Sequence, residues 1–438
     1  MENAAALAST RGRETALACL ETGIEAARPE RVVAESIRLD DDRLHVGDAT
    51  YDLSNVDRII AVGGGKAADG VADALESVLG GRLDAGVVVT PDPSDGDRID
   101  RLRGDHPVPS QAGVEGTERI QELVADADDR TLVLAIITGG GSALLPAPAD
   151  GITLEDLQAT TDALLDAGAE IGDLNAVRKH LSTLKGGGLA QLAAPATVAS
   201  LVFSDVVGND LSVIASGPTA PDGSTYADAL DVLERYGVDP PRSVWERLDL
   251  GAAGDLPETP GPDDPIFDRV TNHVLADTFT AIDAAREVAR DRGYHPCVLS
   301  SSVRGEAREA ALTHVAVAEE VLSTGNPIDP PAVVLSGGEA TATVRGDGVG
   351  GPNADFALAA AVELPDDVTL ASVDTDGRDG SSDFAGAIVD SDTVDDVPAA
   401  REALANSDAF GHLRDRNAVI STGATGTNVN DLRVVVID

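Results

Sequence analysis

Residues 58–79 decide the fold class of this chain. They begin with the apolar run Arg58-Ile-Ile-Ala-Val62, continue through Gly63-Gly64-Gly65-Lys66, and end in an alanine-rich stretch that reaches Leu79. The apolar run predicts a buried strand, the glycines predict a tight turn, and the residues after them predict a helix. A strand, a glycine turn and a helix in this order are typical of a parallel sheet with helices on both faces.

The same arrangement recurs further along the chain. The apolar run Thr131–Ile137 precedes Thr138-Gly139-Gly140-Gly141-Ser142, and a third glycine run occupies residues 186–188. In parallel sheets ligands collect beyond the carboxyl ends of the strands, and glycine turns with a helix N-terminus form anion sites. We therefore expect main-chain contacts to a polyanionic ligand at six residues: Gly64, Gly65, Gly139, Gly140, Gly141 and Ser142.

The remaining patterns predict a two-domain α/β protein. We expect residues 1–240 to form a parallel-sheet domain, residues 241–271 a linker or surface excursion, and residues 272–438 a second α/β domain. Further strands are expected at residues 85–89, 197–203, 296–299, 332–335, 339–345, 368–373 and 432–437. Further helices are expected at residues 13–28, 117–125, 185–193, 277–292 and 304–323, with another that Thr153 opens.

Charge excludes several classes of partner. The 438 residues include 76 acidic and 32 basic ones, for a net charge of −44. Such a surface repels nucleic acids and anionic membranes, and its acidic residues are spread along a chain that is 42% hydrophobic. We interpret this as a folded halophilic protein adapted to a salt-rich cytoplasm. The two cysteines predict no disulfide framework, and no transmembrane or secretion segment is evident.

Lysine is the rarest basic residue. Only Lys66, Lys179 and Lys185 occur among the 32 basic residues, and each touches or lies just upstream of a glycine run. An ammonium beside glycine main chain is a good phosphate partner, so we expect these lysines to bind phosphate. Chance survival during loss of lysine is the alternative, and it fits Lys179 best.

Residues 175–180 concentrate cationic side chains. On a helix Asn175, Arg178 and Lys179 share one face. A solvated basic face is the ordinary interpretation, but a dense cationic cluster is unexpected as mere surface in so acidic a chain. We expect anion binding here.

Two loops concentrate carboxylates. Asp205 and Asp210 follow the predicted strand at 197–203 and precede Ser216-Gly217, and the sequence Asp374-Thr-Asp-Gly-Arg-Asp-Gly380 follows another strand. Carboxylates at strand ends can hold Mg²⁺ or accept a hydroxyl proton. An acidic surface turn is the alternative.

The ordered set of motifs resembles the glycerate 2-kinase family, whose C-terminal domain is named MOFRL. The matching pieces span nearly the whole chain in family order: Gly63–Ala68, His106–Pro109, Ser142–Leu145, Asn175–Gly188, Ser204–Pro218, Ser336–Glu339, Gly350–Phe356, Asp374–Gly380 and Thr427–Asp431.

The resemblance implies an ATP-dependent kinase that phosphorylates the 2-hydroxyl of D-glycerate, with Mg²⁺ as the companion of ATP. It also implies a Rossmann-like parallel-sheet domain, a second, smaller α/β domain that carries the MOFRL name, and a site in the cleft between them.

The lysine of the family's first glycine loop corresponds to Lys66, which we expect to bind the transferring phosphate or the glycerate carboxylate. For phosphoryl transfer we expect catalytic roles for Lys66, Arg178, Lys185, Asp205 and Asp210, and metal binding by Asp205, Asp374 and Asp379. Asp205 or Asp210 is the candidate base for the hydroxyl, with Asp374, Asp376 and Asp379 as the alternatives. We further expect substrate or nucleotide contacts at Asn175, Lys179, Ser216, Gly217, Glu339, Asn353, Asp376, Arg378 and Asn428, beside the glycine turns.

Two motifs depart from the family pattern. Residues 350–355 read Gly-Gly-Pro-Asn-Ala-Asp where relatives have Gly-Gly-Arg/Pro-Asn-Gln-Glu, so an arginine seen in some relatives is absent. Arg378 replaces the usual isoleucine and is a candidate for binding the glycerate carboxylate. A nicotinamide-linked hydroxypyruvate reductase and a non-catalytic sugar-acid or nucleotide sensor stay open as alternatives, and so does a homodimer.

Overall fold

A computed structural model describes residues 1–346 and 348–438. The strands, in chain order, are β1 Ile37–Asp40, β2 Arg43–Val46, β3 Ala49–Asp52, β4 Arg58–Gly64, β5 Ala85–Thr90, β6 Ile99–Arg103, β7 Thr131–Thr138, β8 Thr197–Phe203, β9 Val270–Ala276, β10 His295–Glu306, β11 Ala332–Thr341, β12 Val368–Asp374, β13 Gly386–Asp390, β14 Val419–Ile420 and β15 Asp431–Ile437.

The α-helices alternate with these strands along most of the chain. In chain order they are α1 Ala4–Leu7, α2 Arg11–Ala26, α3 Pro29–Ser36, α4 Ala68–Leu79, α5 Gln111–Ala125, α6 Gly141–Leu144, α7 Leu154–Asp166, α8 Ile171–His180, α9 Gly188–Ala193, α10 Tyr226–Tyr236, α11 Arg242–Ala252, α12 Thr278–Asp291, α13 Ala307–Thr324, α14 Pro352–Ala361, α15 Val397–Ala405 and α16 Ala409–Arg414.

The chain divides into two compact units. The central unit comprises residues 32–275, and the terminal unit comprises residues 1–31 together with residues 276–438. The N-terminal helix α2 therefore belongs with the C-terminal sheet, although the sequence analysis placed it in the first domain. Helix α2 packs closely on α12, where a Cβ at Gly23 would lie 2.8 Å from the main-chain oxygen of Ala281.

The main sheet of the central unit has the order β6-β5-β4-β7-β8-β9. Strands β4 to β8 pair in parallel, as the strand–turn–helix alternation predicts. Every residue of β7 is buried, because helices cover both faces of a parallel sheet. The predicted α/β class with a Rossmann-like sheet is confirmed.

A helical subdomain within the central unit has its own apolar core. Helices α7, α8, α10 and α11 contribute Leu164, Val177, Leu233 and Leu248, all buried. Capping boxes at Thr153 and at the start of α10 set two of these helices in place. The stretch at 241–271, expected as a linker or surface excursion, instead contains α11, which packs against α10.

The sheet of the terminal unit is mixed, with the order β10-β11-β15-β12-β13-β14. Among the strands described for this unit, β10 and β11 pair in parallel and the other pairs are antiparallel. A separate strand predicted at 339–345 is wrong, since β11 carries the strand only to Thr341. The helix expected from residue 304 begins at Ala307, because β10 continues to Glu306. Among the described residues, no helix is both long and apolar enough to span a membrane.

Candidate active site

The carboxyl ends of three neighbouring strands bring several predicted loops to one edge of the central sheet. Strands β4 and β7 pair Gly64 with Ile137, and β7 and β8 pair Thr138 with Phe203, so the three strands end side by side. Ligands bind at this edge in open α/β sheets. The loops that leave these strand ends contain three predicted site residues: Lys66, Gly139 and Asp205.

The first glycine turn uses its amides within the protein. The Gly65 N–H donates to the Val89 oxygen at 3.1 Å, and the Lys66 N–H donates to the Gly139 oxygen at 2.8 Å. Gly65 has a φ of 137°, and a Cβ there would overlap Thr138. The turn therefore serves close strand packing, and the expectation of a main-chain anion contact is corrected for Gly65, because its N–H is used within the protein.

The third glycine run connects two loops through main-chain hydrogen bonds. Gly186 donates its N–H to the Ser216 oxygen at 3.0 Å, and Gly187 donates to the Gly217 oxygen at 2.7 Å. Both glycines have positive φ, at 56° and 83°. These hydrogen bonds hold the Ser216-Gly217 segment against the residues that follow Lys185, which fixes that loop beside the sheet edge.

Lys185 is buried beneath the second glycine turn. Its ammonium donates to the main-chain oxygens of Ser142 at 2.7 Å and Leu145 at 3.2 Å. Burial, together with the nearby Arg178 guanidinium, lowers the pKa of Lys185 to about 7. Because it donates to two carbonyls, Lys185 holds the short helix α6 in place. Lys185 also lines a pocket.

Lys179 has a different environment from the other two lysines. Its Nζ donates to Asp222 Oδ1 at 3.1 Å, and both side chains are buried. Burial raises the pKa of Asp222. The hydrogen bonds from Ser224 and the charge of Lys179 together lower it by more than burial raises it, so the net shift of the pKa is downward. This ion pair joins α8 to the loop before α10, and it gives Lys179 a structural position.

A pocket of about 260 Å³ lies between the helical subdomain and the sheet edge of the central unit. Arg178 and Lys185 line it together with the turn at 140–143, residues 106–109 and one face of α7. Burial lowers the pKa of Arg178, and Asp162 opposes that shift. Two cations that are partly desolvated in one pocket repel each other, so the pocket favours an anionic ligand.

A buried polar network supports the pocket. The hydroxyls of Ser142 and Ser216 are 2.8 Å apart, and Ser216 donates to Asn175 Oδ1 at 2.9 Å. The Asn175 amide nitrogen is buried without an acceptor among the described residues. Ala215 and Ser216 have φ of 50° and 62°, which costs a non-glycine residue about 1–3 kcal/mol. Strain and an unmet donor in one place are typical of functional sites.

The two candidate carboxylates after β8 differ in position. The Asp205 carboxylate lies against Gly139, where any Cβ would overlap it. Asp210 is exposed and accepts from the amide and hydroxyl of Ser212 at 2.9 and 2.7 Å. Asp205 therefore stands at the sheet edge, and Asp210 stabilises a turn.

In the terminal unit, Asn353 joins two carboxylates. Its amide nitrogen donates to Asp431 at 2.7 Å and Asp379 at 3.3 Å, and its oxygen accepts from Ser372 at 2.5 Å. Asp379 accepts the main-chain N–H groups of Asn353 and Ala354 at 3.0 and 2.8 Å, so it caps helix α14. Asn353 and Asp379 are 1% exposed, so each reaches a ligand only after this network opens.

Asp379 is a poor metal ligand in this conformation. Burial raises its pKa to about 7, the two main-chain hydrogen bonds oppose this shift, and the Asp431 carboxylate adds to it. A carboxyl group with a raised pKa, whose oxygens cap a helix, does not fit the metal role expected for it. The prediction that Asp379 binds metal is therefore not supported by its surroundings.

The other predicted residues of the terminal unit lie in turns and on a strand. Asp374 accepts the Asp376 N–H at 3.0 Å, and Asp376 accepts the Arg378 N–H at 2.9 Å, so the two carboxylates shape their own turn. The Arg378 side chain is exposed. Two further residues were predicted to contact substrate or nucleotide. Glu339 is exposed on β11, and Asn428 accepts a hydrogen bond from the Asn430 N–H at 3.2 Å.

The donor set limits how Mg²⁺ can bind. Within residues 1–346 and 348–438, no three His, Cys, Asp or Glu side chains are grouped to hold a metal ion. Mg²⁺ commonly binds through one or two carboxylates plus substrate phosphates and needs no such cage. Asp205 at the sheet edge fits that mode.

Two parts of the site were missed by the sequence reasoning. His106 lies close to the second glycine turn, since a Cβ at Gly140 would be 3.0 Å from its ring and 3.2 Å from Lys66 Cγ. Helix α7 supplies Leu157 and Leu165 to the pocket. The His106-Pro-Val-Pro109 motif was the available signal for the first, whereas an apolar helix face gives none.

Two family models match the chain. One, described as a domain of unknown function (DUF4147), matches residues 15–249, and the MOFRL family model matches residues 332–431. Together they cover most of the sequence in the order that the motifs predict.

Relatives match almost end to end. The D-glycerate 2-kinase of Thermotoga maritima is 39% identical over 434 residues, covering 97% of this chain and 98% of the relative. The glycerate 2-kinase of Pyrococcus horikoshii is 35% identical over 435 residues, covering 97% of each. An Agrobacterium vitis protein named putative hydroxypyruvate reductase is 39% identical over 392 residues, covering 87% of this chain and 99% of the relative.

A solved structure has the same fold. The crystal structure of glycerate kinase from Thermotoga maritima matches with a TM-score of 0.85 at 38% identity, covering 97% of this chain and 99% of that chain.

Proposed function

The chain belongs to the glycerate 2-kinase family with a C-terminal MOFRL domain, and from this premise we propose that it transfers a phosphoryl group from ATP to the 2-hydroxyl of D-glycerate. The products are 2-phosphoglycerate and ADP. The family resemblance drawn from the motifs is thereby confirmed. Two relatives that match over nearly their whole length are named for this activity.

The observation that carries the proposal is the cationic pocket at the sheet edge. Arg178 and Lys185 line one pocket in a chain whose net charge is −44. Phosphoryl transfer needs positioning and charge neutralisation more than covalent chemistry from the protein. A site that concentrates positive charge against an acidic background supports that requirement.

Each residue of the site has a proposed role. Lys66 extends beside the second glycine turn and neutralises charge on the transferred phosphoryl group. Arg178 binds the phosphates of the nucleotide from the pocket. Lys185 holds the turn in place through two carbonyls and adds positive charge. Ser142 presents its hydroxyl from the network with Ser216 and Asn175.

Asp205 would hold Mg²⁺ that arrives with the nucleotide. When bound, the ion would neutralise phosphate charge. A role for Asp205 as the base for the glycerate hydroxyl stays a prediction. Asp210 is the weaker candidate for either role, because its carboxylate is engaged in the turn with Ser212.

The setting of the enzyme is also proposed. We place it in a salt-rich cytoplasm, a proposal supported by the net charge of −44 and by two cysteines that are both free thiols. We further propose that the central and terminal units are its two domains, since each has its own sheet. The assembly state is left to measurement, with a homodimer as one option.

One assay tests the function. Purified protein in molar KCl is given D-glycerate, ATP and MgCl₂, ADP release is followed, and the phosphorylated position is identified by NMR. We expect 2-phosphoglycerate, whereas 3-phosphoglycerate would refute the regiochemistry. Parallel reactions with hydroxypyruvate and NADH test the activity for which the Agrobacterium vitis relative is named, and NADH oxidation without ADP release would replace the kinase proposal.

A further inference from the structure

The pocket of the central unit has one apolar half. Its walls there are Leu157 and Leu165 of α7, Val108 and Pro109 of the segment after β6, and Pro146. Gln158 joins the two walls, because its amide donates to the Pro109 oxygen at 2.6 Å. The apolar half is therefore a slot whose two sides are tied together by a hydrogen bond.

Two side chains at this slot remain exposed although they are apolar. Val108 is 51% exposed and Leu165 is 54% exposed. Scattered exposed apolar residues are ordinary, but two that line one pocket beside desolvated cations form a single concave surface. A ligand with apolar faces would remove that surface from water.

The other half of the pocket is polar and adjoins the glycine turn. Arg178 and Lys185 line it with Ser142 and with Asp162, whose carboxylate acts on Arg178, and Gly140 at its edge lies close to Lys66. The pocket thus runs from an apolar slot to a cluster of positive charge. Its best ligand has a flat apolar part joined to an anionic part.

We propose that the slot between α7 and residues 106–109 binds the purine base of ATP, with the phosphates extending past Arg178 toward Lys66. This inference rests on the proposed kinase function and adds the position of the nucleotide to it. D-Glycerate is a three-carbon acid with a polar group on every carbon, so it can use the polar half but has no apolar face for the slot. The base of ATP has two such faces.

Leu165→Asp is the variant that tests the slot. It replaces an apolar wall with a charge that repels the nucleotide, at a position already half exposed. Ile171→Asp is the matched control, because Ile171 is 57% exposed, apolar, on the next helix and not part of the pocket lining. Leu165→Asn separates loss of the apolar wall from the added charge.

Steady-state kinetics and direct binding are measured on the full chain in molar KCl. For Leu165→Asp we expect the KM for ATP and the Kd for ADP to rise about tenfold, with the KM for glycerate unchanged. Leu165→Asn should show a smaller rise of the same kind, and Ile171→Asp should behave as wild type. Calorimetry with tripolyphosphate, which has no base, should give the same Kd in wild type and Leu165→Asn, because this variant adds no charge.

The alternatives give different results. A rise in the KM for glycerate with unchanged ADP binding would place the acid in the slot and overturn the inference, as would unchanged binding of both. Equal weakening of ADP and tripolyphosphate by Leu165→Asn would also overturn it, because the effect would not involve the base. If wild type binds ADP but forms no product from glycerate, the proposed function fails while the binding comparison still decides the slot.

Discussion

At the scale of single residues, three lysines of similar sequence context have three different surroundings. Lys66 lies beside the second glycine turn, Lys179 is paired with Asp222, and Lys185 donates to two carbonyls. The sequence predicted phosphate binding for all three. The neighbours of Lys66 favour phosphate binding. Those of Lys185 favour phosphate binding together with support of a turn, and the ion pair of Lys179 favours a structural role.

Lys66→Ala should lower turnover with glycerate and ATP by about 100-fold or more, because it removes one cation from the phosphoryl group at the sheet edge. ADP release in molar KCl measures the loss. The unfolding midpoint should stay near that of wild type, since the main-chain hydrogen bond of Lys66 is retained. A turnover close to wild type would remove Lys66 from the chemistry.

Lys179→Met should destabilise the protein by about 3 kcal/mol, because it leaves the buried Asp222 carboxylate without its counter-ion. Denaturant unfolding at constant high salt measures the change. The double variant Lys179→Met/Asp222→Asn should recover part of the loss. If Lys179→Met instead unfolds like wild type and loses turnover, the lysine contacts substrate.

The affinity for ADP should fall as pH rises above about 7, because the ammonium of Lys185 then loses its charge. Burial and Arg178 lower the pKa of this group to about 7, so the charged form is present below that pH and attracts phosphate. Between about pH 7 and 9 the fall is at most tenfold per unit for one proton. Calorimetric Kd values measure it, and Lys185→Met should bind weakly with a flatter profile. An equal slope in both proteins would assign the titration elsewhere.

At the scale of elements, local patterns predicted the central strands well and the ends of several elements less well. The strand at 58–64 and the turn after it follow from apolar residues and glycine, which act through local conformation. Strand β10 extends to Glu306 because it pairs with β11 over a long register with two irregularities. Pairing of that kind depends on a partner strand and leaves no mark in the local sequence.

Gly351→Ala should destabilise the terminal unit by about 1–3 kcal/mol, because a Cβ there would overlap the Asp379 carboxylate that caps α14. Thermal unfolding in molar KCl measures the effect. Gly81→Ala is a suitable control, since a Cβ at Gly81 meets no described atom within 4 Å. Equal stability of the two variants would show that the cap adjusts without loss.

At the scale of the whole molecule, charge and topology decide behaviour that no single residue controls. The net charge of −44 is distributed over two compact units, each with its own sheet. Self-repulsion of this size favours expanded states unless salt screens it.

Lowering KCl from molar to about 0.1 M should lower the unfolding temperature and the activity, since the Debye length grows from about 3 Å to about 10 Å. Calorimetry over a salt series measures the dependence, and NaCl should act similarly if screening is the cause. A salt-independent unfolding temperature would contradict the halophilic interpretation.

The sequence alone determined the α/β class, the family and the acidic surface, because strand periodicity, glycine turns, ordered motifs and net charge are properties of the chain itself. Only the tertiary structure decided which cations line the pocket and which are paired elsewhere. Lys179 meets Asp222 across 43 residues, and Lys185 meets Ser142 across 43 residues in the other direction. Likewise the apolar slot joins α7 to residues 106–109, about fifty positions apart. The charge and burial of a side chain depend on such distant neighbours, and local sequence does not encode them.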